Sequence, residues 1–182
     1  MNPPTDVLSP IGEDNLLKGL HKQVKAAFYT AVTRPTSVYR GNPFAVEVAL
    51  AYGVEGWGED ELMRLVRFAN RVPLLYQQGS CAVTEAVMDT AWRNYGISQS
   101  KGALPAAPMV LAVHFASVWV PFTSESKEAV AHYPEIIREM KLAVQEAGRR
   151  AAAYIRKRQR QAQQTERRHI FERYIEEVAS AL

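Results

Sequence analysis

The sequence contains a single cysteine and no long apolar run. Cys81 has no cysteine partner in the chain, so the fold cannot rely on an intramolecular disulfide and does not require an oxidising compartment. The first residues lack the basic and apolar regions of a signal peptide, and no stretch reaches the roughly 20 apolar residues of a membrane helix. We therefore expect a soluble protein of a reducing compartment.

Patterns that carry catalytic chemistry are also scarce. The four histidines have no metal-ligand spacing, and the sequence has neither a Walker-type glycine loop nor two acids placed as an acid and base pair. His114 lies in a predicted strand between apolar neighbours, so we expect a hydrogen-bonded core histidine rather than a catalytic one. The sequence thus predicts no catalytic residue and no metal ligand, and it indicates that the chain does not run a reaction unaided.

The apolar pattern that is present predicts one α+β domain. A chain of 182 residues with 47% hydrophobic residues is long enough for a single core. Helices packed on one face of a mostly antiparallel sheet are the predicted architecture, and the strand at 62–72 is a possible hairpin partner of the strand at 44–52. From apolar periodicity we predict strands at 28–34, 44–52, 62–72 and 109–120, and helices at 13–25, 81–92, 134–163 and 169–182.

Positive charge is concentrated near the C-terminus. Eight lysines and arginines fall between residues 149 and 168, against one acid, although the net charge of the chain is only +3. From Pro134 onward the chain is rich in good helix formers, and a helix of about 30 residues would extend about 45 Å and project beyond the domain. A cationic rod suits a nucleic-acid backbone, and a merely solvated helix face is the alternative. The cations singled out as contacts are Arg156, Lys157, Arg158 and Arg160.

Two shorter motifs also carry charge beside aromatic or hydroxyl groups. Lys127 ends the run Pro-Phe-Thr-Ser-Glu-Ser-Lys, where it could meet an anion as a point charge or could be an ordinary solvated lysine. In Trp-Arg-Asn-Tyr-Gly, Trp92 and Tyr95 could stack on bases or sugars while Arg93 binds a phosphate. The alternative for the two aromatics is that they cap the core.

Five runs of sequence, in this order, resemble the transducer domain of the topoisomerase VI B subunit, part of a type IIB DNA topoisomerase. They cover nearly the whole chain, and each is too long to arise from generic strand or helix patterning. The runs are Pro-Thr-Asp-Val-Leu-Ser-Pro-Ile-Gly (4–12), Thr-Arg-Pro-Thr-Ser-Val-Tyr-Arg-Gly-Asn-Pro-Phe (33–44), Arg-Phe-Ala-Asn-Arg-Val-Pro-Leu-Leu-Tyr-Gln-Gln-Gly (67–79), Trp-Arg-Asn-Tyr-Gly (92–96) and Val-Pro-Phe-Thr-Ser-Glu-Ser-Lys-Glu-Ala (120–129).

The resemblance implies a fold like the second domain of a ribosomal small-subunit protein, joining an N-terminal ATPase domain to a DNA-cleaving A subunit. It implies that Lys127 touches the γ-phosphate of ATP. It also implies that Trp92, Arg93 and Tyr95 contact DNA, with Arg93 standing where the family has lysine. A C-terminal apolar stripe would dock on the A subunit, and its residues are Phe171, Tyr174, Ile175, Val178 and Leu182.

The resemblance also divides the chain and predicts its partners. We expect an N-terminal junction and helix (1–26), a transducer body (27–133), a basic stalk helix (134–168) and an amphipathic docking helix (169–182). The implied partners are the A subunit, duplex DNA and the B-subunit ATPase domain, in an A2B2 heterotetramer without a membrane. The implied location is the nucleoid-associated cytoplasm of a prokaryote or the nucleus of a eukaryote.

The ATPase motifs of the family have no counterpart in these 182 residues. ATP and Mg²⁺ are therefore expected in the complete enzyme, and this chain alone is expected to bind no cofactor and to be inactive. Two other functions remain open from the sequence. One is a scaffold that tethers an A-like subunit without nucleotide gating, and the other is an RNA-binding module.

Overall fold

The structure, a computed structural model, describes residues 8–182. Six strands form one sheet, and three α-helices and two short 3₁₀ helices accompany it. In chain order the elements are α1 (Glu13–Gln23), β1 (Ala26–Thr33), β2 (Ser37–Tyr39), β3 (Asn42–Val54), β4 (Arg64–Ala69), β5 (Val72–Pro73), a 3₁₀ helix (Gln78–Ser80), α2 (Ala82–Met88), a second 3₁₀ helix (Trp92–Tyr95), β6 (Met109–Ser117) and α3 (Pro134–Ala181).

The sheet is built around the long strand β3. The strand order is β1-β3-β6-β4-β5, and β2 also pairs with β3. β3 is antiparallel to β1 and β6, whereas β4 and β6 are parallel and are connected through α2. The predicted hairpin between the second and third long strands is therefore wrong. Both edges of β3 are occupied along most of their length by β1 and β6, so β4 pairs at the far edge of β6 instead.

The two faces of the sheet carry different layers. α2 and α3 cover the face that receives Val48 and Leu50 of β3 and Leu111 of β6. The alternate residues of β3 point to the other face, where α1 packs Leu20 against Ala49 and its neighbours. The predicted α+β class is confirmed, and α1 adds a helix on the face opposite α2 and α3. Within residues 8–182 no helix combines the length and apolar character needed to cross a membrane.

Helix α3 contains 48 residues and is about 72 Å long at 1.5 Å per residue. Its first half packs on the sheet with side chains from Ile136 to Ile155, and every residue from Arg156 onward is exposed. The predicted stalk helix (134–168) and docking helix (169–182) are one continuous helix. The chain has no proline or glycine after Gly148, so nothing in the sequence breaks the helix at residues 168–169.

A charged cluster lies on the face of the sheet covered by α1. Glu47 of β3 and His114 of β6 are both buried, and His114 accepts the Arg71 main-chain N–H on Nε2 at 3.0 Å. The imidazole is therefore the neutral tautomer that carries its proton on Nδ1, as expected of a hydrogen-bonded core histidine. The Glu47 carboxylate accepts hydrogen bonds from His114 Nδ1 at 2.7 Å, Gly12 N at 2.7 Å, Ile11 N at 2.9 Å and Thr33 Oγ1 at 2.9 Å.

These bonds predict a specific loss of stability in acid. Burial opposes ionisation of the carboxyl, but its four donors outweigh burial and lower the pKa of Glu47 from 4.5 to about 2. A depressed folded-state pKa stabilises the fold fully above pH 4.5, and the contribution, about 3 kcal/mol, is lost as the pH falls toward 2. The measurement is urea unfolding of the wild type and Glu47→Gln between pH 7 and pH 2.

The difference in unfolding free energy between the two proteins should shrink across that range, since the other carboxyl groups titrate alike in both. Glu139→Gln is the matched control because Glu139 forms its ion pair with Arg34, away from the cluster. A gap that stays constant down to pH 2 would show that Glu47 is not the carboxyl responsible.

Candidate functional site

Lys127 lies at the tip of the loop that connects β6 to α3. Phe122 and Val130 form an antiparallel bridge at the base of the loop, and the Lys127 main-chain N–H donates to the Ser124 carbonyl at 3.2 Å. Lys127 has a φ of 55°, in the left-handed region that costs a non-glycine residue about 1 kcal/mol. The side chain is exposed. The loop thus presents the ammonium group to solvent at the tip of a hydrogen-bonded turn.

A buried arginine holds this loop from inside the protein. Arg67 on β4 is 2% exposed, and its guanidinium donates to the carbonyls of Leu74 at 3.0 Å, Tyr76 at 2.8 Å and Glu128 at 3.3 Å. Arg67 therefore ties the loop after β5 to the residue next to Lys127. Sequence reasoning missed this role. The available signal was a cation on the strand face occupied by Leu65 and Ala69, where a charged side chain needs buried partners.

The structure separates the three residues of the aromatic motif. Trp92 is completely buried, and its indole N–H donates to the Val87 carbonyl at 2.8 Å. The prediction that Trp92 contacts DNA directly is wrong for this fold, because the indole is part of the core. Arg93 is exposed and donates to the Gln99 carbonyl at 2.9 Å, and Tyr95 is half-buried. Only Arg93 and Tyr95 are available to a partner.

Tyr95 fits against the one glycine of α3. A Cβ added at Gly148 would lie 2.7 Å from Tyr95 Cε2 and 2.8 Å from its Cδ2. The Tyr95 ring also meets Trp92 edge to face, with ring centroids 6.1 Å apart. The glycine is thus explained by the close approach of an aromatic ring. The motif fastens the second 3₁₀ helix to the packed half of α3.

The projecting half of α3 carries a cationic part followed by an apolar part. Arg156, Lys157, Arg158 and Arg160 are all exposed, as the rod hypothesis requires. Three of the eight cations between residues 149 and 168 are engaged elsewhere: Arg150 donates to the Ala31 carbonyl at 2.8 Å, while Arg149 and Arg168 pair with Glu146 and Glu172 on α3 itself.

The apolar part is an exposed stripe near the end of α3. At about 100° per residue its members fall within an arc of about 100°. Ile170, which the sequence analysis did not include, lies beside them and is 62% exposed. The members are Phe171, Tyr174, Ile175, Val178 and Leu182, and all five are exposed.

Comparison with known proteins identifies the family of this chain. A family model described as the topoisomerase VI B subunit, transducer, matches residues 3–167. The chain belongs to this family. The match covers the sheet, the Lys127 loop and the cationic part of α3, and it ends just before the apolar stripe.

Curated relatives agree with the family. Three proteins, each named as the B subunit of type 2 DNA topoisomerase 6, match most of this transducer. The one from Archaeoglobus fulgidus is 53% identical over 87% of this chain and 26% of its own length. Those from Methanococcoides burtonii and Pyrococcus furiosus are 47% and 46% identical over 100% and 99% of this chain, and over 29% and 30% of their own lengths. The chain thus spans less than a third of the length of these relatives.

Among solved structures, the B subunit of the DNA gyrase from Myxococcus xanthus superposes on 66% of this chain and 38% of its own. The TM-score is 0.42 at 22% sequence identity. A similarity this low supports no inference about function.

The contact between Tyr95 and Gly148 can be tested because Gly148→Ala should change the free energy of unfolding in opposite directions with and without the Tyr95 ring. In the wild type, Gly148→Ala forces the ring to move and should lower the free energy of unfolding, since overpacking typically costs about 1–3 kcal/mol. In a Tyr95→Ala background the same change should raise it, by up to about 1 kcal/mol, through helix propensity. Urea unfolding of the four proteins measures the coupling. Equal effects of Gly148→Ala in both backgrounds would contradict the contact.

Proposed function

We propose that this chain is the transducer that couples ATP binding in an adjoining B-subunit ATPase domain to opening of a DNA gate by the topoisomerase VI A subunit. One observation supports this proposal above the others. The loop that exposes Lys127 leads directly into α3, so only six residues (128–133) lie between Lys127 and the first residue of a helix about 72 Å long. A displacement of the loop together with the domain body therefore also moves the helix.

The loop is built to pass on such a displacement. Ala129 and Val130 behind Lys127 are completely buried, and the Val130 carbonyl accepts the Ala82 N–H at 2.9 Å. Arg67 holds the neighbouring Glu128 carbonyl from below. Since α3 is about 72 Å long and is packed on the same body as the loop, a rotation of that body by about 5° would move the far end of the helix by about 6 Å. A small change at Lys127 can therefore become a large movement at the apolar stripe.

The proposed signal is electrostatic. The Lys127 ammonium pairs with the γ-phosphate of ATP, and this contact exists in only one nucleotide state, so its free energy can bias the arrangement of the two domains. Hydrolysis of ATP removes the phosphate charge that the ammonium faces. ATP and Mg²⁺ are assigned to the ATPase domain, and this chain contributes the one cation.

The first test substitutes Lys127→Ala in the complete complex of A and B subunits. A charge-assisted hydrogen bond contributes about 1.5–3 kcal/mol, so ATP-dependent strand passage should fall by about 10-fold or more. DNA relaxation and ATP hydrolysis are measured on the same preparation. Lys101→Ala is the control, because Lys101 is also an exposed loop lysine but belongs to the connection between α2 and β6. Unchanged strand passage and ATP turnover in Lys127→Ala would contradict the sensor role.

We further propose that duplex DNA contacts the cationic part of α3, together with Arg93 and Tyr95. Each phosphate contact contributes about 0.9 to the slope of log affinity against log salt concentration. Changing Arg156, Lys157, Arg158 and Arg160 to glutamine should therefore reduce the slope by about 3 to 4. The affinity for a labelled DNA duplex is measured by fluorescence anisotropy between about 50 and 200 mM salt, and the slope is taken from that series.

A control variant with the same loss of charge separates specific contacts from net charge. Lys18, Lys22, Lys25 and Lys101 are exposed elsewhere on the surface and are changed to glutamine together. An equal loss of slope in both variants would contradict a contact surface on α3. Tighter binding of a structured RNA at matched salt would instead favour an RNA-binding function.

The apolar stripe is proposed to dock on the A subunit, in an A2B2 assembly. Five exposed apolar side chains on one helical face form the kind of surface that binds a groove in a partner. Their position at the far end of α3 suits this role, because the movement of the rod is largest there.

A further inference from the structure

The residues immediately before α1 are attached to the sheet by the Glu47 carboxylate. The main-chain N–H groups of Ile11 and Gly12 donate to its two oxygens, at 2.9 and 2.7 Å. Because Glu47 is completely buried, these are charge-assisted bonds whose acceptor is shielded from solvent. The leading segment, residues 9–12, is therefore held at its C-terminal end by a charge on β3.

The other end of the leading segment is held by Arg71. Its guanidinium donates to the Pro10 carbonyl at 3.1 Å and to Ser9 Oγ at 3.3 Å. The Arg71 main-chain N–H in turn donates to His114, whose other ring nitrogen donates to Glu47. The contacts close a ring that runs from the leading segment through Glu47, His114 and Arg71 and back to the leading segment.

The turn that carries Arg71 is strained. Asn70 and Arg71 connect β4 to β5 with φ of 47° and 68°, the backbone of a two-residue turn in which glycine is favoured at the second position. An arginine in this conformation costs about 1 kcal/mol relative to glycine. The Asn70 side chain fixes the turn by pairing with both main-chain groups of Ser117, at 2.9 and 3.0 Å. A requirement for the guanidinium over the leading segment would explain why an arginine occupies this strained position.

We propose that Glu47, His114 and Arg71 are positioning residues that clamp the leading segment and so set the position of a preceding ATPase domain relative to Lys127. The inference rests on the proposed function. β6 makes the link, because it carries His114, ends at Ser117 beside the clamped turn and continues into the Lys127 loop. The clamp and the lysine therefore belong to one strand and its loop. Loosening the clamp should let the ATPase domain move without displacing the lysine.

The test uses Arg71→Gly in the complete B subunit assembled with its A subunit. Glycine suits the turn, so this variant removes the guanidinium without adding backbone strain. The expected results are an amide exchange rate at Ile11 and Gly12 that rises by about 10-fold or more, and several-fold less strand passage per ATP hydrolysed. The rate of ATP hydrolysis itself should change little. Arg71→Lys should recover part of the coupling, since its ammonium can still reach one carbonyl.

Arg40→Gly is the matched control. Arg40 has a φ of 48° in the turn between β2 and β3, and it lies over the rings of Tyr39 and Tyr133 rather than the leading segment. Arg40→Gly should leave unchanged both the amide exchange rates at Ile11 and Gly12 and the strand passage per ATP hydrolysed. Unaltered exchange in Arg71→Gly would overturn the clamp, and faster exchange with wild-type coupling would overturn its positioning role. A wild-type complex without ATP-dependent strand passage would overturn the proposed function and the coupling role together, whereas the exchange rates would still show whether the clamp exists.

Discussion

The packing of the first half of α3 against the sheet determines where every candidate surface lies. Residues from Ile136 to Ile155 are buried on one side of the helix, and several are alanines that let the helix axis approach the sheet closely. The Lys127 loop enters at the start of this packed half, and Tyr95 fits against Gly148 in its middle. The cationic part begins at the first residue after the packing ends. One packed helix therefore fixes the Lys127 loop, the aromatic motif and the base of the cationic part of α3 relative to one another.

Two buried charges organise the loops on opposite faces of the sheet. Arg67 on the face of α2 and α3 is satisfied by main-chain carbonyls from two loops, whereas Glu47 on the face of α1 is satisfied by main-chain N–H groups and His114. A buried charge without partners is strongly destabilising, so each charge imposes a defined conformation on the chain segments that surround it. Under the proposed function, these segments are the ones that contact the ATPase domain. The two charges lie on β3 and β4, with β6 between them.

The sequence predicted the elements better than their pairing. Alternation in Phe44 to Tyr52 and helix-forming composition after Pro134 are local properties, and they identified β3 and the start of α3, although not the continuity of α3 to Ala181. Strand order depends on which edges remain free once the longest strands have paired, and no local pattern records that. Trp92 illustrates the same limit at the site. The spacing of Trp92 from Tyr95 fitted both a surface and a core position, and only the packing of α3 shows that Trp92 belongs to the core. The roles of Glu47 and Arg67 depend on main-chain groups far along the chain, which residue types alone do not specify.

The projecting half of α3 differs physically from the packed half. Isolated helices are marginal in water because the first turn is costly to form, but each further residue of a good helix former adds to the helix at little cost. The packed half provides those first turns, so the exposed half extends an existing helix and is most firmly held near Ile155. Support from side-chain pairs is weak there, since Arg168 and Glu172 at i and i+4 contribute only about 0.3–0.5 kcal/mol. The apolar stripe lies farthest from the packed half, where support from packing is least. Under the proposed function, burial of the stripe against the A subunit would therefore support the end of the helix as well as attach it, so that a movement of α3 reaches the partner.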